Sequence, residues 1–244
     1  MSSLILSDAP ARDVHKQIAL LQLASPALPI GGYSYSSGLE WAIETGAVRD
    51  EASAAQWIGD ALMLTLASFD TPLMLAALRA MRDAPDLSST SLRARLRALN
   101  DAALAARETA ELRLESQQMG YSLGRWLASV MPDEAADAWI AEALDPLALP
   151  VAWAMSCHRL DLDERSAALA CLWSFVENQA MVLMKALPMG QIAAQRLLRS
   201  LAPMIDQALN RAVDLPEQDW SSAAPLLAVA SCRHETQYSR LFRS

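Results

Sequence analysis

Residues Asp163–Leu187 read DERSAALACLWSFVENQAMVLMKAL, and the spacing of their apolar side chains decides the fold class. Leu169, Leu172, Trp173, Val176, Ala180, Leu183, Met184 and Leu187 recur at steps of 3, 1, 3, 4, 3, 1 and 3, which gathers them on one side of a helix with 3.6 residues per turn. The spacing predicts one long amphipathic helix with Trp173, Val176 and Leu183 in the core. Asp161, Asp163 and Glu164 crowd its start, where carboxylates cap free N–H groups and complement the helix dipole. Pro188 ends it. A second pattern follows, with Leu197, Leu198, Leu201, Ile205 and Leu209 on one side, so the pair reads as a helical hairpin.

Working outward, Leu92, Leu96, Leu99, Ala103, Ala106, Ala110 and Leu114 step by 4 and 3 and predict a helix over 91–131. Shorter helices are expected at Asp13–Ala24, Ser36–Thr45, Glu51–Ala67, Pro72–Met81, Asp133–Ala143 and Val151–Arg159, with Asp13, Asp50 and Asp70 or Thr71 as starts and Pro72 in a first turn. Gly120 and Gly124 are spaced for local close packing. No stretch alternates β-branched or aromatic residues with polar ones for long enough to make a strand. The segment DAPDLSST (83–90) is the best surface loop. The expected architecture is all-α, a single-domain bundle of about eight to ten helices over 1–244, with a flexible segment at 1–12 and a tail at 233–244.

Twenty Lys and Arg against 28 Asp and Glu give a net charge of −8, so neither nucleic acid nor an anionic membrane surface is an expected partner. Arginine supplies all but two of the cations, Lys16 and Lys185; its planar fork suits carboxylate pairing at protein interfaces. The eight glycines form no phosphate-binding loop, dinucleotide fingerprint or nucleophile elbow. Cys157, Cys171 and Cys232 are too few for a disulfide framework, and Met1–Pro10 lacks a basic segment followed by an apolar core, so a cytoplasmic protein is expected. The charge-free run 17–39 is interrupted by Pro26, Pro29, Gly31 and Gly32, and no membrane span is read there.

His15, His158 and His234 are the only histidines, and no catalytic triad or closed metal site follows from them. His234-Glu235 opens like a metalloprotease motif, but Tyr238 stands where the second histidine would be. Cys157 beside His158, and Cys232 two residues before His234, pair thiolate with imidazole as nickel or zinc sites do; most such pairs are ordinary buried cysteines and hydrogen-bonded histidines. Two segments stand out. SPALPIGGYSYSSGLE (25–40) has prolines that fix the chain, glycines that permit unusual dihedrals, and Tyr33, Tyr35 and Glu40 leading into a helix. The terminus CRHETQYSRLFRS (232–244) carries Arg233, Arg240 and Arg243 with Tyr238 and Phe242, the residue types of interface hot spots. It reads as a docking peptide that adds little to the core.

Four stretches carry a resemblance: LLQLASPALPIGGYSYSSGLE (20–40), RETAELRLESQQMGYSLGR (107–125), KALPMGQIAAQRLL (185–198) and HETQYSRLFRS (234–244). Together, and in this order, they resemble the UreF family of urease accessory proteins. The resemblance implies an all-α homodimer with no reaction and no cofactor of its own. Such a protein binds UreD (called UreH in some organisms), recruits the GTPase UreG, possesses a role in regulating it, and promotes nickel insertion into apo-urease. Nickel passes through the complex or binds transiently. On this basis Tyr33, Tyr35, Glu40, Lys185, Gln191, Gln195, His234, Glu235, Gln237, Tyr238, Arg240, Phe242 and Arg243 are expected partner-binding residues. The alternative is a direct nickel carrier that uses Cys232 and His234. Tyr35 and Lys185 stand where histidine and arginine are common in relatives.

Overall fold

The computed structural model describes residues 9–132 and 144–244, and every regular element among them is helical. Nine α-helices run in chain order: α1 Ala9–Leu23, α2 Leu39–Glu44, α3 Glu51–Asp83, α4 Thr90–Ala105, α5 Ala110–Val130, α6 Leu149–Arg159, α7 Glu164–Ala186, α8 Gln191–Asp214 and α9 Pro225–His234. Of the segment expected to be flexible, residues 1–8 lie outside the described residues and 9–12 belong to α1. The helix expected at Asp133–Ala143 also lies outside them. Helices α7 and α8 form the predicted hairpin.

Helix α7 is the centre. Asp163 accepts the Ser166 N–H at 2.9 Å and starts it, and α1, α2, α3, α6 and α8 all pack on it. Ala167, Leu172, Val176, Gln179, Ala180 and Leu183 are buried on its different sides. The predicted stripe is therefore corrected at four positions, Leu169 and Leu187 being only partly buried. Trp173 is only partly buried, its indole N–H donating to Glu177 at 3.2 Å at the margin of the core, and Met184 is exposed. By length and composition α3 and α7 could each cross a membrane, yet 67% and 56% of their apolar windows are buried inside the fold. That is the behaviour of core helices.

Helix α1 starts at Ala9 rather than Asp13, and two larger expectations change. The helices predicted on either side of residue 70 are one 33-residue rod, α3, with a π-helical segment at Leu62–Asp70. Pro72 lacks the N–H that would reach the Ser68 carbonyl; the wider turn absorbs the ring, and the Ser221 N–H fills the freed carbonyl at 3.0 Å. The single helix predicted over 91–131 is instead broken at 106–109. Arg107 turns inward there to form a two-pronged ion pair with Asp70 of α3, at 2.5 and 3.1 Å, and Thr109 caps α5 by accepting the Leu112 N–H at 3.1 Å. The apolar phase shifts at the break: Ala110 and Leu114 face solvent, while Leu112, Ser116, Gly120, Leu123 and Leu127 face inward. Helix α9 has no counterpart in the sequence expectations, although Pro225 before Leu226, Leu227 and Val229 is a usable start signal.

Gly120 sets the approach of α5 to the start of α6. A Cβ there would lie 2.3 Å from the Leu147 carbonyl oxygen and 2.9 Å from the Ala148 carbonyl carbon, both backbone atoms that cannot swing away. Gly120→Ala gains about 1 kcal/mol of helix propensity but forces an overpacking cost of about 1–3 kcal/mol. A lower urea midpoint is expected. Gly124→Ala, whose Cβ meets only a leucine methyl at 3.4 Å, should keep the wild-type midpoint or exceed it.

Candidate interaction site at the carboxyl-terminal strap

The loop 25–38 and the last residues of the chain are built against each other. Three residues of the loop sit in the left-handed region: Gly31 at φ 74°, Ser37 at φ 51° and Gly38 at φ 83°. Ser37 and Gly38 postpone α2 from the expected Ser36 to Leu39. Gly38 also lets α9 approach, since a Cβ there would lie 3.2 Å from the Ser231 nitrogen. Asn178 of α7 holds the loop by donating to the Tyr35 carbonyl at 3.1 Å.

Residues 235–244 cross back over this loop as a strap. The Arg243 N–H donates to the Ser34 carbonyl at 2.8 Å, and the Ser36 N–H donates to the Ser244 carbonyl at 2.9 Å. Glu40 is the anchor. Its carboxylate accepts the backbone N–H groups of Leu241 at 2.6 Å and Phe242 at 3.0 Å, and its Oε2 is hydrogen-bonded to His234 Nε2 at 3.1 Å. The other ring nitrogen, Nδ1, is bonded to Glu111 Oε2 at 2.7 Å. Arg240 pairs with the remaining oxygen of Glu111, and Glu235 accepts the Glu111 N–H at 3.3 Å, where a carboxylate satisfies an open donor of the α5 amino terminus. Glu115, one turn on, accepts hydroxyl hydrogen bonds from Ser37 at 3.0 Å and from Ser244. Burial pushes the Glu115 carboxyl above the usual carboxylate range, against the pull of those hydroxyls. Burial likewise raises the Tyr35 phenol, opposed by Arg243, and the phenol donates to Gln118.

The expected partner-binding residues thus divide. Tyr35, Glu40, His234 and Phe242 are buried in this chain, so the reading of 232–244 as a detached docking peptide is corrected: the segment is the end of α9 followed by a strap pinned at both its ends. Tyr33, Lys185, Gln191, Gln195, Glu235, Tyr238, Arg240 and Arg243 are exposed, and Gln237 is half-buried. Lys185 of α7 places its ammonium 4.7 Å from the centre of the Phe242 ring, a cation–π contact that ties the strap to the central helix. Gln191 and Gln195 lie on the first turns of α8, for which no hydrogen bond to the strap is seen among the described residues. Sequence reasoning missed Glu111, Glu115 and Gln118, although their 4 and 3 spacing puts them on one face of α5; polar residues at helical spacing carry no signal until a partner segment is known.

Among the described residues neither cysteine–histidine pair is gathered as a metal site. Cys232 is exposed while His234 is fully buried with both ring nitrogens engaged. Burial pushes the Cys157 thiol up strongly, and Cys171 up to about 12, which keeps both protonated. Among the described residues no three His, Cys, Asp or Glu side chains are placed to hold a metal ion. Behind the loop lies a cavity of about 160 Å³ whose wall includes the Asp70–Arg107 pair, Glu115, Trp153 and Cys171.

The UreF family model matches residues 48–202. Proteins named urease accessory protein UreF are similar over almost all of the chain. That of Azoarcus sp. (strain BH72) is 48% identical over 241 residues, covering 98% of this chain and 100% of the relative. Those of Ectopseudomonas mendocina (strain ymp) and Azotobacter vinelandii are each 49% identical, over 230 and 228 residues, covering 93% of this chain and 98% of either relative.

Removing one partner from a buried charged cluster leaves the others uncompensated, at about 3–5 kcal/mol. Glu40→Ala should lower unfolding stability on that scale, with faster amide exchange at 241 and 242 as the strap releases. Deleting 234–244 should lower the melting temperature as well. In native protein the exposed Cys232 should react fastest with a thiol reagent, the half-buried Cys171 more slowly, and the buried Cys157 only on unfolding.

Proposed function

The chain belongs to the UreF family of urease accessory proteins, and on that premise we propose that it is a non-catalytic assembly subunit in the maturation of urease. In this reading it works in the cytoplasm as a homodimer. It binds UreD (UreH), recruits and regulates UreG, and so promotes nickel insertion into apo-urease. Nickel is the cargo and no resident cofactor takes part. The observation that carries the proposal is the relation to named urease accessory proteins over nearly the whole chain.

The physical character of the surface supports a protein that acts by contact. The titratable groups gathered at the strap are spent on one another: Glu40, Glu111, His234 and Arg240 form a closed set of hydrogen bonds. General acid or base chemistry needs a group free to exchange a proton with substrate. Exposed apolar side chains sit instead where a partner would cover them, with Val14, Ile18 and Leu21 at i, i+4 and i+7 on α1, Tyr33 on the loop and Tyr238 on the strap. The direct-carrier reading is less well supported, because His234 is committed to Glu40 and Glu111 on both ring nitrogens.

Purified protein should hydrolyse neither urea nor GTP. Added to UreD, UreG, apo-urease, nickel, bicarbonate and GTP, it should raise the nickel content and activity of urease severalfold over the same mixture without it. Equal activation with and without the protein refutes the proposal. Equilibrium dialysis of nickel against wild type and the Cys232→Ala/His234→Ala double variant separates the carrier reading, which alone requires the variant to lose uptake.

A further inference from the structure

The cavity of about 160 Å³ behind the loop is lined partly by the loop itself and partly by helices of the bundle. The loop supplies Leu28, Ile30 and Ser37, while α5, α6 and α7 supply Glu115, Trp153 and Cys171. The helices are fixed by the core, but the loop is not held evenly. Among the described residues every backbone hydrogen bond made by 25–33 stays within 22–35, so the backbone of this stretch has no tie to the helices of the cavity wall. The ties gather at 34–37. Asn178 and Gln118 hold Tyr35, and the strap holds the residues on either side of it. The Ser34 carbonyl accepts the Arg243 N–H at 2.8 Å, and the Ser36 N–H donates to the Ser244 carbonyl at 2.9 Å. The Ser36 hydroxyl donates to the same carbonyl. Glu115 accepts one hydroxyl from Ser37 of the loop and another from Ser244 of the strap, so a single side chain on the cavity wall joins the two segments.

We propose that residues 25–34 are a lid over this cavity, that Gly31 is its hinge, and that Arg243 and Ser244 at the end of the strap are the latch that keeps it shut. Gly31 sits at φ 74°, and a Cβ there would meet nothing within 4 Å. Packing therefore gives no reason for a glycine at 31; the left-handed dihedral does, and the open space around it leaves room for the chain to swing. Pro26 and Pro29 stiffen the segment before the hinge, so that it moves as a unit. Leu28 and Ile30 are buried, and opening would expose them to water, which makes the shut form the resting one. Glu40 and Lys185 hold the strap upstream of the latch, leaving its last two residues to act on the loop. Cavities of about 150 Å³ take up a molecule the size of benzene, so the lid governs entry of small solutes. Cys171 reports on that entry. Burial pushes its thiol up to about 12, yet the residue is only half-buried and lines the cavity, so a reagent admitted to the cavity reaches it.

Alkylation by iodoacetamide, a small neutral reagent, tests the latch in the Cys232→Ser variant, which lacks the exposed thiol. Cys171 should react slowly there, and the buried Cys157 only on unfolding. Deleting residues 243 and 244 removes three hydrogen bonds to the loop and should speed alkylation of Cys171 about tenfold or more, with Cys157 still silent. Amide exchange should rise at 25–34 in the same protein and keep its original rate in the middle of α8. Ser244→Ala removes only the hydroxyl on Glu115 and should give a smaller rise, about threefold; it carries the test if the truncated chain does not fold. Unchanged alkylation of Cys171 in the folded truncation, or in Ser244→Ala where the truncation does not fold, overturns the latch. Equal acceleration of Cys171 and Cys157 also overturns it, because that marks loosening of the whole bundle. Neither result touches the accessory-protein reading, which is tested by urease activation.

Discussion

Between Ala167 and Leu183 no residue of α7 is fully exposed, and this constraint organises the molecule. A helix that must be covered on every side needs neighbours from several parts of the chain, which is why α1, α2, α3, α6 and α8 converge on it rather than forming separate pairs. Small residues make the convergence possible. Ala167, Ala168, Ala170 and Ala180 are buried, so neighbouring backbones come close while Leu172, Val176 and Leu183 fill the spaces between them. Asn178 and Lys185, on the same helix, reach the loop and Phe242. The core and the interaction site are therefore positioned by one element.

The strap illustrates how a polar cluster confers position. Three carboxylates in it have more than one partner: Glu40 serves two backbone N–H groups and an imidazole, Glu111 an imidazole and a guanidinium, Glu115 two hydroxyls. Away from water an unpaired polar group is costly, so alternative placements of the strap that break any one of these bonds are disfavoured. Such a cluster is weak evidence for net stability; its contribution is a unique register, with Phe242 inside and Arg243 outside. Alternation of buried and exposed residues at 242, 243 and 244 is the direct result.

The irregular parts of α3 and the α4–α5 link serve the same arrangement from behind. The π-helical turn frees the Ser68 carbonyl for Ser221, which leads the chain from α8 into α9. The break at 106–109 sends Arg107 to Asp70 and lets Thr109 meet the Ser231 hydroxyl at 2.8 Å on α9. Departures from ideal helix geometry thus lie where the carboxyl-terminal elements cross the bundle, and each has an identified hydrogen bond in exchange.

The fold class, the α7–α8 hairpin, the loop at 83–90 and the start signals at Asp50 and Asp163 were all readable from the residues alone, because they depend on local periodicity and on caps within one turn. Membership of a family was readable from four short stretches for the same local reason. What only the tertiary structure decided were the relations between distant residues. Glu40 and Leu241 are 201 positions apart, and nothing in either neighbourhood announces the other. Tyr35, His234 and Phe242 have the composition of exposed hot spots yet are buried, while Leu114 and Ala110 continue an apolar pattern yet face solvent. Periodicity reports that a helix has an apolar side, but which side is covered, and by what, is set by long-range packing.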